Sequence, residues 1–341
     1  METAVAGTQP GTARDGEWMA RAAGLAAGVR TVTSPNPWVG AVVVGRSGAS
    51  YEGATSPPGG PHAEASALAR AGSDARGGTL YTTLEPCAHV GRTGPCVDVI
   101  AAAGLSRVVV GVLDPDRRVG GRGVAALQRS GIEVAVGIGA GMVQAQLAPY
   151  LKHRSTGRPW VVLKLAATLD GRTAAPDGSS RWITGEAARR DAHRLRAESD
   201  AVMVGAGTVR SDDPELTVRD GSPTPRQPLR VVLGSAPDAA RARPALELCG
   251  DLGDVLDELG RRGVLQVLVE GGAGVAHGFH AAGLVDRYVL YLAPALFGGD
   301  DGRPMFDGVG AGSITDLWRG EMVSVRQLGM DLRIELAAGP T

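Results

Sequence analysis

Long apolar runs are missing from this sequence: nothing approaches the ~18 consecutive apolar residues needed to span a bilayer, so no membrane role is expected. Cysteine is scarce, at three in 341 residues. That excludes a disulfide framework and leaves metal ligation or packing as the work of these thiols in a reducing compartment. Neither sign of charge is in excess, with 35 basic and 36 acidic residues interspersed along the chain. A general nucleic-acid or membrane-surface binder needs a basic surplus and is excluded on that ground. Met1 to Arg14 also lack the basic-then-apolar order of a secretory leader, and residues 1–14 read as a flexible tail. A soluble cytoplasmic chain is expected.

What is present supports two cores. Hydrophobic residues make up 43%, and the length matches two domains at roughly 100–200 residues each. Aromatics are only 4%, while 51 glycines supply frequent turn signals. In the first half, apolar runs predict strands at Val39–Val44, Thr79–Thr83, Val108–Val112 and Glu133–Val136. Helical patterns fall at Glu17–Gly28, Ala63–Ala71, Val97–Ala103 and Val124–Ser130. The alternation predicts an α/β domain over 15–148 with a largely parallel sheet. The polar, Gly- and Pro-broken stretch over 149–159 reads as a linker. A second α/β series over 160–341 follows. Its strands are predicted at Trp160–Ala166, Ala201–Gly205, Leu229–Leu233, Gln266–Glu270 and Tyr288–Leu292, and its helices at Glu186–Glu198, Leu252–Arg262 and Gly274–Ala281. Val323–Leu328 and Leu332–Leu336 predict a closing hairpin around Gly329. Cys249 is placed in an amphipathic helix as a packing residue.

The chemistry is densest in Pro61-His62-Ala63-Glu64 and in Glu85-Pro86-Cys87 followed by Gly91-Arg92-Thr93-Gly94-Pro95-Cys96. A catalytic zinc takes about three protein ligands and keeps a position for water. His62, Cys87 and Cys96 supply one imidazole and two thiolates. A zinc ion lowers the pKa of its water to near neutrality, and Glu64, two residues from a ligand, could shuttle protons to a departing amine. Both ligand clusters precede helices, whose positive ends favour thiolates and developing negative charge. Blander readings remain for each piece alone: a helix-start histidine, or two small buried thiols. A closed structural site with His89 as fourth ligand is the sharper rival, but it leaves Glu64 unexplained.

Together with Pro35-Asn36-Pro37-Trp38-Val39-Gly40 before a strand, these motifs resemble the deaminase half of bifunctional riboflavin-biosynthesis deaminase/reductases. The eight residues between Cys87 and Cys96 distinguish this pattern from the Cys-x-x-Cys of cytidine and tRNA-adenosine deaminases. The resemblance implies a cytidine-deaminase-like fold for this half. It also implies one zinc ion per chain, and loss of the 2-amino group from 2,5-diamino-6-ribosylamino-4(3H)-pyrimidinone 5′-phosphate as ammonia. Asn36 and His89 would face the pyrimidine and Arg92 the phosphate. The pattern departs from the family at Thr55, where many relatives carry a histidine. Asp114-Pro115-Asp116 and Gly120-Gly121-Arg122-Gly123 also fit it, in a loop at a strand's C-terminal end.

In the second half the dinucleotide fingerprint Gly-x-Gly-x-x-Gly fails at both candidate sites, Gly205-Ala206-Gly207 and Gly272-Ala273-Gly274, so a Rossmann fold is not expected. The strand Gln266–Glu270 nevertheless runs through glycines into a helix, where bare backbone N–H groups suit a pyrophosphate. Lys164–Arg172, Ser180–Thr184, Gly205–Val209, Asp212–Thr217 and Val269–Gly272 resemble the reductase half of the same family, which is similar in fold to dihydrofolate reductase. The resemblance implies that Ala166, Trp182, Thr208, Asp212, Ser235 and the loop Gly272, Ala273, Gly274, Val275, Ala276, His277, Gly278 line NADPH. It implies that Ser180, Arg196, Leu216, Arg219 and Glu270 hold substrate. Arg196 and Arg219 would share its phosphate, and Glu270 would meet ribose hydroxyls. The implied product is 5-amino-6-ribitylaminouracil 5′-phosphate, with Asp212 or Lys164 or a water as proton donor. The family also implies a homodimer or higher homo-oligomer. A related aminopyrimidine in secondary metabolism, or a non-catalytic zinc- and nucleotide-binding regulator, are the alternatives.

Overall fold

The structure, a computed structural model, describes residues 12–88, 94–116, 120–219, 224 and 226–338. The chain divides into two compact units, Met1–Thr156 and Gly157–Thr341. Among the described residues, no helix is long and apolar enough to cross a membrane.

In the first unit, α1 (Ala13–Gly28) opens on a reciprocal cap between Thr12 and Asp15, and a short α2 (Arg30–Thr33) follows. Then come β1 (Gly40–Val44), β2 (Ser50–Ala54), α3 (Ala63–Ala71), β3 (Thr79–Leu84), α4 (Cys96–Ala103), β4 (Arg107–Val112), α5 (Arg122–Arg129), β5 (Glu133–Val136) and α6 (Ala140–Thr156). The sheet order is β2-β1-β3-β4-β5. β3, β4 and β5 run parallel, whereas β1 is antiparallel to both β2 and β3. The continuous valine runs of β1 and β4 are those of strands covered on both faces. Asp15 ties α1 to the sheet by accepting from Tyr81 Oη and Arg107 Nη1, each at 2.8 Å. Burial pushes its carboxyl up, but these donors together with Thr12 outweigh that and hold it well below the usual range.

The second unit comprises β6 (Trp160–Thr168), β7 (Arg172–Ala174), α7 (Glu186–Ala197), β8 (Ala201–Gly205), α8 (Ala206–Asp212), β9 (Leu229–Leu233), β10 (Leu246–Leu248), α9 (Leu252–Arg261), β11 (Gln266–Val269), α10 (Ala273–Ala281), β12 (Arg287–Ala293), β13 (Arg303–Pro304), β14 (Gly320–Leu328) and β15 (Asp331–Ala338). Eight strands form one sheet in the order β10-β9-β8-β11-β6-β12-β15-β14, parallel from β10 to β12 and closed by the antiparallel pair β15 and β14. Side-chain alternation splits the core between two faces. Val161, Leu163 and Leu165 pack with α9 and α10, while Val162 packs with α7. On that second face the next two positions of β6 are Lys164 and Ala166, where the packing gives way to a cleft.

Several expectations need correction. The segment from residue 149, expected to be a linker through 159, is helical to Thr156. Pro149 is accommodated because its neighbours are held by tertiary contacts: Gln146 Nε2 donates to Ala23 O and Tyr150 Oη to Asp114 Oδ2. The tail expected over 1–14 is cut short, because the Thr12–Asp15 cap starts a helix at Ala13; residues 1–11 lie outside the described residues. β2, α6 and α8 were not expected, nor were α2, β7, β10 and β13, and β1, antiparallel to both of its neighbours, makes the first sheet mixed. Cys249 lies exposed in the turn after β10, since α9 starts only where Asp251 caps it at Leu252.

Close packing positions α3. A Cβ on Gly53 of β2 would lie 2.1 Å from Ala63 O and 2.6 Å from Ala67 N. Gly53→Ala must therefore push α3 away from the sheet. We expect it to destabilise the first unit by about 1–3 kcal/mol or more, read as a lowered unfolding transition, with Gly24→Ala as a control at a glycine of α1 beside open space. Equal transitions for Gly53→Ala and the unmodified protein would refute the packing argument.

Candidate active sites

The first site gathers where strand ends meet helix starts. His62 is the N-cap of α3, Cys96 is the first residue of α4, and Cys87 lies in the turn that leaves β3. His62 precedes Cys87 by 25 residues, with β3 between them, yet one ligand atom from each of the three residues lies within 4.8 Å of the others. His62 Nδ1 is 3.1 Å from Cys96 Sγ and 3.6 Å from Cys87 Sγ. Donors around a tetrahedral zinc at about 2.0–2.3 Å are separated by roughly 3.3–3.8 Å. One nitrogen and two sulfurs at this spacing fit zinc both in donor type and in geometry.

The electrostatics favour a cation here. The hydrogen bond from the Cys96 thiol, with His62 and the Cys96 backbone N–H behind it, pushes Cys87 far below an ordinary thiol. That same bond and burial push Cys96 up. Glu64 stands 3.7 Å from Cys96 Sγ through Oε2 and is buried, and its burial pushes the carboxyl above the ordinary range. A carboxyl raised towards neutrality suits proton shuttling.

Of the other residues singled out in this half, His89 and Arg92 lie outside the described residues. Asn36 is half-buried in the turn before β1, where its backbone N–H donates to Thr33 O. Thr55 is buried; its hydroxyl accepts from Val39 N at 3.0 Å, so it braces the segment that carries Asn36.

The second site lies at the C-terminal ends of β6, β8 and β11, where parallel sheets collect ligands. Two clefts of about 860 and 520 Å³ open there. Both are lined by Lys164, Ala166, Ser180, Thr208, Asp212 and Glu270, so they share a wall. The larger adds Trp182, Arg196, Leu216 and Arg219, along with His193 and Tyr291, which the sequence reading passed over. His193 had one available signal: it falls on the same face of α7 as Arg189 and Arg196. The smaller cleft adds Gly272, Ala273, Gly274 and Val275. No side chain caps α10, and a Cβ on Gly271 would fall 2.6 Å from Val275, so this turn presents bare backbone at the cleft edge. That arrangement fits a dinucleotide pyrophosphate.

Other residues do not converge as expected. Ala276 is fully buried in the core, Gly278 faces Leu252, and His277 packs against Gly308. Only the first turn of α10 reaches the cleft, because helical geometry rotates the later residues away from it. Ser235 is exposed after β9 and lines neither cleft. Arg196 does not stand free for a phosphate: its Nε and Nη2 fork onto Glu270 at 2.6 and 2.9 Å, and its Nη1 donates to Thr217 O. Arg219 pairs with Glu215 on the exposed rim. Trp182 is 69% exposed, with the Arg189 guanidinium 4.6 Å above its ring, so it serves the cleft mouth and not the core. Leu216 is fully buried at φ +54°, and Asp213 sits at φ +40°. Left-handed backbone at two non-glycine residues in one short stretch is strain held in place by the surrounding structure.

Comparison with known proteins covers both sites. Residues 13–112 match the family described as the cytidine and deoxycytidylate deaminase zinc-binding region, and residues 159–334 match the RibD C-terminal domain. The riboflavin biosynthesis protein RibD of Mycobacterium tuberculosis is 44% identical over 321 residues, covering 91% of this chain and 93% of its own. The solved structure of Acinetobacter baumannii RibD superposes with a TM-score of 0.90 at 38% identity, over 96% of this chain and 99% of that one. A diaminohydroxyphosphoribosylaminopyrimidine deaminase/5-amino-6-(5-phosphoribosylamino)uracil reductase from Thermotoga maritima superposes at 0.86, with 32% identity over 95% and 99%.

The Glu270 pair makes stability depend on pH. Burial pushes the Glu270 carboxyl up, but Arg196 outweighs it, helped by Lys164 and His193, and holds it at about 2. A depressed carboxyl stabilises the fold above the ordinary value of about 4.3, and the stabilisation disappears as pH falls from there through about 2. In urea unfolding at neutral pH, Glu270→Gln is expected to be less stable by about 3 kcal/mol. The two proteins should converge as pH falls towards 2. Curves that stay parallel throughout would contradict the assignment.

Proposed function

The chain belongs to the RibD family of bifunctional deaminase–reductases of riboflavin biosynthesis, and from that premise we propose how its two sites divide the work. The first unit removes the 2-amino group of 2,5-diamino-6-ribosylamino-4(3H)-pyrimidinone 5′-phosphate hydrolytically. The second reduces the ribosyl group of the deaminated product to ribityl with NADPH. The single observation that carries the first half is the convergence of His62, Cys87 and Cys96 beside the buried Glu64.

His62, Cys87 and Cys96 would hold one zinc ion, which when bound lowers the pKa of a coordinated water and supplies the attacking nucleophile. Glu64 takes the proton from the attacking water and passes it to the departing amine, which leaves as ammonia. Burial pushes its carboxyl above the ordinary range, which strengthens it as an acceptor of that proton. Thr55 keeps the Asn36 segment in place for the pyrimidine. Arg92 and His89 complete the substrate contacts on the family pattern.

In the second unit, the Gly272–Val275 turn, Ala166, Thr208 and Asp212 would hold NADPH, whose nicotinamide supplies a hydride to C1′ of the ribosyl group. Glu270 is fixed by Arg196 with both carboxylate oxygens in the wall common to the two clefts, a position that suits ribose hydroxyls. Reduction also needs a proton on the departing ring oxygen. Burial pushes Lys164 below an ordinary lysine, which favours it over Asp212 as the donor. Ser180, Leu216 and Arg219 complete the walls of the substrate cleft.

A cytoplasmic homodimer fits the family. The exposed apolar side chains Met322, Val323 and Val325 on the outermost strand β14 support association of two copies, since an uncovered edge of this kind favours pairing.

Purified protein is expected to carry about one zinc per chain, to release ammonia from the diaminopyrimidine substrate and to oxidise NADPH. Glu64→Gln should keep its zinc while ammonia release falls by roughly 100- to 10,000-fold. Asp212→Ala should leave ammonia release intact and slow NADPH oxidation. If, in a folded chain, Glu64→Gln also abolished NADPH oxidation with the deaminated product supplied, and Asp212→Ala also abolished ammonia release, the two-site assignment would be wrong.

A further inference from the structure

Glu85 directly follows strand β3, two residues before Cys87, and is 4% exposed. A buried carboxylate needs partners for both oxygens. Here all four are backbone N–H groups. Oε2 accepts from Asp114 at 3.2 Å and from Gly121 at 2.9 Å. Oε1 accepts from Gly123 at 2.9 Å and from Val124 at 3.2 Å. Three of these donors belong to the start of α5, where the helix dipole also favours negative charge. The fourth belongs to the loop after β4. Asp114 carries the connection further by accepting from Tyr150 Oη on α6 at 2.9 Å.

The fit is tight on the side of Cys87. A Cβ on Gly123 would stand 2.1 Å from Pro86 O and 3.1 Å from Glu85 Oε1. The first turn of α5 is therefore seated directly on the Glu85-Pro86-Cys87 turn, with only a hydrogen atom to spare at Gly123. Gly123 is explained as the space this seating requires, while Gly121, beside open space, supplies the left-handed backbone at φ +75° that starts α5. Cys87 has no regular element of its own to hold it: β3 ends at Leu84, and α4 begins at Cys96.

We propose that Glu85 is a positioning residue for the metal centre: its four backbone hydrogen bonds lock the Cys87 turn onto the start of α5 and so set where the Cys87 sulfur stands relative to His62 and Cys96. The role rests on the zinc reading of the first site. Groups that orient metal ligands from behind commonly change metal affinity or activity by about 10- to 100-fold when replaced.

Glu85→Gln is the direct test, because it preserves shape while an amide can satisfy only the donors facing its oxygen. Gly123→Ala moves the same junction from the other side. Both are made in the full-length zinc protein, and cobalt is exchanged for zinc in parallel samples. In each variant zinc should pass to a chromophoric chelator roughly 10- to 100-fold faster than from the unmodified protein. The cobalt ligand-field bands should shift, and ammonia release should fall while NADPH oxidation with the deaminated product supplied directly is retained. Hydrogen exchange in β3, β4 and β5 should remain at the unmodified rate. Unchanged chelator kinetics and cobalt spectra in Glu85→Gln would overturn the proposal. So would loss of protection across those strands in both variants, which would make Glu85 a residue that holds the fold and not the ligand. Failure of the unmodified protein to bind zinc or cobalt would remove the zinc reading itself, an outcome read before either variant is compared.

Discussion

Three soft or borderline donors have to meet within 4.8 Å although they come from the start of α3, the turn after β3 and the start of α4. Two like-charged sulfurs do not approach one another without a proton or a cation between them, so their convergence is a constraint that the surrounding backbone must enforce. The mixed sheet enforces it. β3 and β4 run parallel and deliver their C-terminal turns to the same edge, while α3 and α4 start at that edge with their positive ends towards the sulfurs. The close approach of Gly53 to α3 then fixes the distance of His62 and Glu64 from the strand ends.

The second unit solves a related problem with charges of opposite sign. Glu270 would be costly to bury alone, and Arg196 neutralises it with a bidentate fork in the same low-dielectric setting. The pair leaves Lys164 as a further cation on the adjoining strand, and burial loosens that lysine's hold on its proton. The result is a polar wall between two clefts, one edged by bare helix-start backbone and the other by arginines. On the function proposed above, a dinucleotide and a phosphorylated sugar need walls of these two kinds, and hydride transfer would take place where the two clefts join.

In both units the reactive groups follow the ends of parallel strands, and the residues that hold them in place are largely backbone-directed. Glu85 binds four peptide N–H groups, Thr55 binds the peptide of Val39, and Arg196 adds the carbonyl of Thr217 to its fork. Side chains that grip main chain in this way transmit geometry from the sheet to the site without depending on flexible partners. The left-handed backbone at Asp213 and Leu216 belongs to the same economy of fixed shape, since it turns a short loop into the wall of a cleft.

By itself the sequence determined the fold class, most of the regular elements and the three residues that the fold brings together as a candidate metal site. Valine runs and alanine-rich periodicity are local signals, and His62, Glu64, Cys87 and Cys96 announce their chemistry by residue type and order. Family resemblance reached further, to the walls of the reductase clefts, yet it carried Ala276, His277 and Gly278 along with the turn that alone reaches the cleft. Tertiary structure decided the rest. Whether Arg196 meets a phosphate or a carboxylate depends on the distance between α7 and the end of β11, and no local pattern encodes that distance. Residues 149–156 look like a linker because proline and polar side chains weaken an isolated helix; contacts from Gln146 and Tyr150 to other elements make the helix form. Glu85 reads as an ordinary acidic residue at a strand end until the start of α5 is folded against it. Long-range placement assigns these roles, because hydrogen bonds and ion pairs act over a few ångströms and only the folded chain brings the partners that close.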